Sequence, residues 1–208
     1  MLVVVSSPSG GGKGTLIRRV LKIVPDLGYS VSFTTRSPRA GEINGRHYFF
    51  VSVEEFRERA AAGAFLEWAV VHGNLYGTAH AQVERELNDG RDIILEIDVQ
   101  GADSVRGMVA DAVTTFILPP SFEILSERLT ARGSEQPGDL ALRLQNSRRE
   151  VEAYSRFDYV IINDDADRAA AQLASVIYAE RARLERQEEA ARCVLETFTQ
   201  TAGSGNQA

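Results

Sequence analysis

The segment Ser7-Pro8-Ser9-Gly10-Gly11-Gly12-Lys13-Gly14-Thr15 constrains this chain more than any other part of its sequence. It follows a short β-branched run, Leu2 to Val5. It opens onto a stretch from Lys13 to Val24 whose apolar positions Leu16, Val20 and Ile23 fall near helical spacing. A buried strand, a glycine loop and a helix in that order begin an α/β fold. Phosphate oxygens need several N–H donors converging in a small space. Glycines let the backbone wrap around them, and a helix N-terminus adds its positive end. Lys13 would set its ammonium against the outer phosphates. Ser7 stands where the general pattern has glycine, and Gly14 stands where Ser or Thr usually supplies a hydroxyl to Mg²⁺. Thr15, one residue later, is left to reach the metal through water. The loop from Ser7 to Thr15 therefore specifies a bound nucleoside triphosphate, but not a reaction.

Further along, Tyr29 to Phe33 reads as a second strand. From Thr34 to about Gly77 the texture changes: short aromatic and β-branched pieces alternate with turn signals such as RAGEINGR and VHGN. This predicts a small β-rich insertion of about 45 residues, with one short helix near Val53 to Ala62. Helix, strand and helix then resume at Ala79–Asn88, Ile93–Ile97 and Gly101–Val109. Val113–Leu118 is a strand stopped by Pro119 and Pro120. A helix over Phe122–Ala131, a polar loop from Arg132 to Gly138 and an Arg-rich helix to Tyr154 follow, then a last strand, Tyr159–Ile162. One long charged helix after Asp164 and a disordered TAGSGNQA tail complete the reading. The expected organisation is a core of residues 1–33 and 78–187, with a helical lid at about 122–155. The insertion spans 34–77, and 188–208 is a helix end and tail.

Composition narrows the partners. The net charge of −6 disfavours a duplex-binding protein, which needs a basic face. The arginines gather in two places, at Arg36, Arg39 and Arg46 and again from Arg128 to Arg149, as suits a small polyphosphate ligand. No apolar run approaches the ~20 residues of a membrane span, and the N-terminus turns Gly-rich too soon for a signal peptide. The expectation is a soluble cytoplasmic protein with no nucleic-acid or membrane partner. Cys193 is the only cysteine, which leaves no internal disulfide and no cysteine-based metal site.

The run Ser30-Val-Ser-Phe-Thr-Thr-Arg-Ser-Pro-Arg-Ala-Gly-Glu-Ile-Asn-Gly-Arg-His-Tyr-Phe-Phe resembles the GMP-binding region of guanylate kinases. The likeness continues through Phe65-Leu-Glu-Trp-Ala, Gly73-Asn-Leu-Tyr-Gly-Thr, Ile97-Asp-Val-Gln-Gly-Ala, Ala131-Arg-Gly and Asp158-Tyr-Val-Ile-Ile-Asn-Asp. It thus covers the chain from Leu2 to about Leu184. The resemblance implies a parallel sheet of the P-loop NTPase type flanked by helices, a GMP-binding insertion and a helical lid. It implies transfer of the γ-phosphoryl of ATP to GMP or dGMP with Mg²⁺, by a monomer or homodimer. It also implies that Ser32 and Thr78 donate to guanine O6, that Asp98 assists at the amino edge, and that Arg132 and Arg143 are the lid arginines, with Arg128 and Arg149 as weaker candidates.

The residues make chemical sense beside the family. A monophosphate dianion wants planar donors, and Arg36 and Arg39 can grip it bidentately while Tyr48 and Tyr76 add phenolic donors. Guanine presents N1–H and its 2-amino group side by side, and one carboxylate, Glu67 in its apolar setting, can accept from both. Adenine lacks both donors, so such a site can discriminate by ~10⁴ or more. Asp98 also stands where it can cap the helix that follows. Two other readings stay open. One is a non-catalytic guanylate-kinase-like binding module, which would tend to lack Lys13 and its glycines. The other is an AMP-accepting kinase, suggested by the Gly14-Thr15 ending that adenylate kinases share.

Overall fold

The computed structural model describes residues 1–131 and 137–203. The first unit begins with β1 (Leu2–Ser6), the glycine loop and α1 (Lys13–Ile23), then β2 (Leu27–Tyr29). The insertion holds β3 (Phe33–Thr34), β4 (Phe49–Phe50), α2 (Val53–Ala61), β5 (Phe65–Val71) and β6 (Asn74–Ala79). After it come α3 (His80–Asn88), β7 (Asp92–Glu96), α4 (Val99–Met108), β8 (Val113–Leu118) and α5 (Phe122–Ala131). Then follow α6 (Pro137–Val151), a 3-10 turn (Glu152–Arg156), β9 (Tyr159–Ile162), α7 (Ala166–Arg181) and α8 (Leu184–Gly203). The chain divides into two compact units, Met1–Ala174 and Ser175–Ala208, and the candidate site lies within the first.

Two sheets organise that unit. The main one has the order β2-β7-β1-β8-β9 and is parallel throughout. A strand covered on both faces reads as an unbroken apolar run, and β1, at the centre, is buried at every position. In open parallel sheets ligands bind beyond the carboxyl ends of the strands. Here the ends of β1 and its neighbour β7 lead into the glycine loop and into Asp98. The second sheet, order β4-β3-β6-β5, pairs β6 antiparallel with both β3 and β5. Its strands β3 and β4 have two residues each, too few to hold by ladder alone. A cluster of rings holds them: Phe33 stacks on Phe49 at 4.7 Å, and Phe56 on Phe65 at 4.5 Å. Ser52 caps α2 by accepting from the Glu55 amide.

Four expectations are corrected. The single strand Tyr29–Phe33 is two strands in different sheets. The Ser30 amide donates to the Ile94 carbonyl as the last rung of the main sheet, and the Ser32 carbonyl already accepts from Phe49 in the second. The single long C-terminal helix is α7 and α8, separated at Ala182 and Arg183. The tail expected to be disordered from Thr201 is helical to Gly203, and residues 204–208 lie outside the described residues. The helix expected from Gly101 starts at Val99 with Asp98 as its cap, accepting from the Gly101 amide at 2.9 Å.

Candidate active site

The glycine loop is held from below. Gly10 and Gly12 take φ of 86° and 90°, a left-handed conformation open to glycine at little cost. Gly12 is needed for a second reason: a Cβ there would overlap the Asn163 side-chain amide, which donates to the Gly11 carbonyl at 2.8 Å. Arg128 backs the same contact, donating through Nη2 to the Asn163 carbonyl at 2.9 Å, while its Nη1 is buried with no hydrogen-bond partner among the described residues. Above, α1 starts at Lys13 with no side-chain cap and no acidic residue in its first turn. The Thr15 and Leu16 amides donate to the Gly12 carbonyl, which leaves the Lys13 and Gly14 amides at the helix start as the ones to meet an anion. Lys13 Nζ donates to the Ile97 carbonyl at 2.9 Å, which uses one of an ammonium's three donors.

At the far wall the structure gathers Arg36, Tyr48 and Tyr76. The Arg36 guanidinium lies 5.4 Å from the centre of the Tyr48 ring, and the two tyrosine rings meet edge to face at 5.9 Å. The Arg36 fork is occupied by Glu42, with Nη1 to Oε2 at 3.0 Å and Nη2 to Oε1 at 2.9 Å. The Arg39 amide donates to the same carboxylate at 2.7 Å. Burial opposes the charge on Arg36, but its bond to Glu42 and the nearby Tyr76 hold it above its ordinary pKa. The bond from Arg36 conversely holds the Glu42 carboxyl below the usual range. Burial first, and then the charge on Glu96, push the Tyr48 phenol far up, so it stays a donor.

Between the two walls lies Glu67. A register shift between Phe65 and Glu67 makes Leu66 and Glu67 consecutive buried residues on β5, where simple alternation would turn one of them outward. Leu66 enters the main core, and Glu67 faces the cavity at 6% exposure. Thr78, opposite it on β6, donates its hydroxyl to Glu67 Oε1 at 2.5 Å. Burial, only partly offset by that bond, raises the Glu67 carboxyl to about 7. Ser32 is buried beside it on the cavity wall. Glu96, at the end of β7, accepts from the Tyr29 hydroxyl at 3.1 Å.

The cavity is walled on one side by the loop from Ser7 to Gly14. On the other side it meets Ser32, Arg39, Tyr48, Glu67, Tyr76 and Asp98, and Arg143 of α6 reaches it as well. Arg36, beside the Tyr48 ring, and Thr78 are not part of that lining, and each is bonded to a carboxylate. Thr15 is exposed, and its hydroxyl accepts from Arg18 at 3.2 Å. Arg149 is exposed, and Arg132 lies outside the described residues. Most of the residues singled out in the sequence thus converge on one space, which the glycine loop and Lys13 share with Arg39, Tyr48, Glu67 and Tyr76.

A family model for guanylate kinase matches residues 1–180. The chain belongs to the guanylate kinase family. The family's curated relatives include guanylate kinases from Rhizobium meliloti, 48% identical over 89% of this chain and 85% of that protein, and from Symbiobacterium thermophilum, 49% identical over 88% and 87%. A crystal structure of guanylate kinase from Anaplasma phagocytophilum aligns with a TM-score of 0.75 at 33% identity, covering 89% of this chain and 88% of that one.

Within this guanylate kinase fold, some residues were not singled out in the sequence, although Glu42 and Asn163 lie inside stretches that carry the resemblance. Glu42, Asn163, Ser147 and Glu150 are ordinary polar residues in the sequence, and only the structure shows them bonded to the residues that line the site. For a metal, no group of three or more His, Cys, Asp or Glu among the described residues is built to hold one. The donors near Lys13 are oxygens, which suits a Mg²⁺ that keeps most of its water. At Gly14 a Cβ would sit 3.0 Å from Glu96 Oε1, so the Glu96 carboxylate fills the place where a hydroxyl side chain would stand. Glu96, on the cavity lining, is the carboxylate that could meet such an ion through water, whereas Thr15 lies outside that lining with its hydroxyl turned to Arg18.

Proposed function

We propose that this chain transfers the γ-phosphoryl group of ATP to GMP, and to dGMP, giving ADP and the diphosphate. The observation that carries this reading is the shared cavity, with the Lys13 loop at one end, the tyrosine–arginine cluster at the other and buried Glu67 between them. Lys13 and the open N–H groups of the loop hold the ATP phosphates, with Ser7 to Thr15 forming the cradle. Arg36, Arg39, Tyr48 and Tyr76 hold the GMP phosphate, which displaces the Glu42 carboxylate from the Arg36 fork. Ionised Glu67 accepts from guanine N1–H and the 2-amino group. Asp98 assists at that edge, and Ser32 meets O6. Thr78, expected from the resemblance to donate to O6 as well, gives its one hydroxyl proton to Glu67 and so holds that carboxylate in orientation instead.

The reaction needs little covalent chemistry. A phosphate monoester with a second pKa of ~6 is already mostly ionised near neutral pH, so no general base is required. What remains is in-line placement and an offset for charge on the moving group. Arg143, on the cavity wall, supplies that offset together with Arg132. Mg²⁺, met by Glu96 through water, would neutralise charge on the ATP phosphates. We place the protein in the cytoplasm as a monomer or homodimer, which size-exclusion chromatography checks. No described helix is long and apolar enough to cross a membrane.

The deciding experiment is an ADP-release assay with GMP, dGMP, AMP and UMP side by side. GMP and dGMP are expected to turn over at least ~10³-fold better than AMP. Equal turnover of AMP would defeat the guanine reading. Failure of the protein to bind ATP by calorimetry would instead favour a binding module.

A further inference from the structure

Helix α6 is joined to the glycine loop at a single residue, from both sides of its backbone. The Ser9 amide donates to Glu150 Oε2 at 2.9 Å, and the Ser9 carbonyl accepts from the Ser147 hydroxyl at 3.2 Å. Ser147 is fully buried. These partners are separated by 141 and 138 positions in the chain, so the bonds report tertiary placement. Arg143, Ser147 and Glu150 follow one another at spacings of four and three, which puts them on one stripe of the helix. Arg143 reaches the cavity from the end of that stripe.

We propose that Glu150 and Ser147 are positioning residues that fasten α6 to the phosphate loop and so set where Arg143 meets the transferring phosphoryl group. The proposal rests on the reading of Arg143 given above. The lever is short. Four to seven residues of helix put Arg143 roughly 6–10 Å along the axis from its two anchors, and a small tilt there displaces the guanidinium by about 1 Å. An error of that size at a reacting centre can cost ~10²-fold in rate. The bond from Ser9 also has a local consequence. That amide is engaged by a carboxylate and the Gly11 amide by the Pro8 carbonyl, so neither is left for an anion, and Glu150 stands at the edge of the proposed phosphate site.

A purely structural role for Glu150, bracing the loop alone, predicts a different response from a role exercised through Arg143, and a double-mutant cycle separates them. Glu150→Ala is expected to lower kcat about tenfold with KM for GMP within about twofold, the signature of an interaction expressed in the transition state. Glu150→Gln keeps an oxygen that can accept from Ser9 and is expected to retain most of kcat. In an Arg143→Ala background, Glu150→Ala should lower kcat by less than about twofold further, because the group it positions is gone. Independent, multiplicative losses would overturn the proposal, as would wild-type kcat in Glu150→Ala. An inert Arg143→Ala would overturn both the proposal and the assigned role of Arg143. A damaging Arg143→Ala beside an inert Glu150→Ala would sink the positioning role alone. Thermal unfolding is followed for every variant. If Glu150→Ala does not fold, Ser147→Ala, which removes one hydroxyl and leaves the Glu150 bond intact, goes through the same cycle with the same two outcomes.

Discussion

The two ends of the cavity are built from different materials. The loop end is backbone, set on the central strand of a five-stranded parallel sheet and braced by Asn163 from one side and by Glu150 and Ser147 from another. The opposite end is side chains, carried by two-residue strands and a ring cluster, with its key guanidinium already paired to Glu42. An end made of backbone amides is fixed by the fold and waits uncapped. An end made of long side chains has its Arg36 fork filled by the Glu42 carboxylate, which on the reading proposed above stands in for the phosphate. The first should tolerate little change anywhere, and the second should respond residue by residue.

Removing the charge at the backbone end should be the most damaging change. Lys13→Ala is expected to lower kcat/KM by ~10³ or more, and retention of a tenth of the activity would mean that the amides suffice alone. Phe56→Ala attacks the ring cluster beneath the other end. It should destabilise the protein by about 3 kcal/mol and weaken GMP binding more than ATP binding. Equal weakening of both would erase the contrast between the two ends.

Glu67→Gln should reduce kcat/KM for GMP by ~10² and remove a pH dependence. The Glu67 carboxyl is raised to about 7. GMP affinity should therefore rise with pH through that value in the parent protein, as the accepting form appears, and lack this step in the Gln variant. Without nucleotide the sign reverses. A carboxyl whose folded pKa is raised contributes its full stability below the ordinary glutamate range and loses it as pH climbs through about 7. Thermal midpoints between pH 5 and 8 should thus be flatter for Glu67→Gln. The smallest effect is expected for Glu42→Gln, which weakens the substitute anion. It should tighten GMP binding about threefold in calorimetry, and weaker binding would show that Glu42 supports the occupied form.

The backbone end was legible almost completely, because its signal is local: apolar run, glycines, lysine, helix. β8, α5 and β9 fall where sequence places them for the same reason, since Pro119 and Pro120 or a change of period mark their limits. The break between β2 and β3 was not legible. Tyr29 to Phe33 alternates like one strand, and only the competing claims of two sheets on Ser30 and Ser32 divide it. Nor was the end of α7, where neither Gly nor Pro interrupts the helical pattern. Among the candidate site residues, Glu67, Tyr48 and Tyr76 were found through chemistry and resemblance together, and the structure brings them to one cavity. Asn163 and Glu150 act across 152 and 141 positions of chain, a separation at which neither spacing nor composition carries information.

The bulge on β5 has an outcome beyond turning one side chain inward. Leu66 is planted in the core of the main sheet, with Ile93, Leu95 and Val105, and Glu67 is its covalent neighbour. On the reading proposed above, the group that would tell purines apart is thus moored through its neighbour to the core of the main sheet, whereas the arginines proposed to hold the phosphate ride on the segment between β3 and β4. Should that segment swing, selection and capture would become separate events: a nucleobase inspected at a stationary post, and only then its phosphate drawn toward the donor.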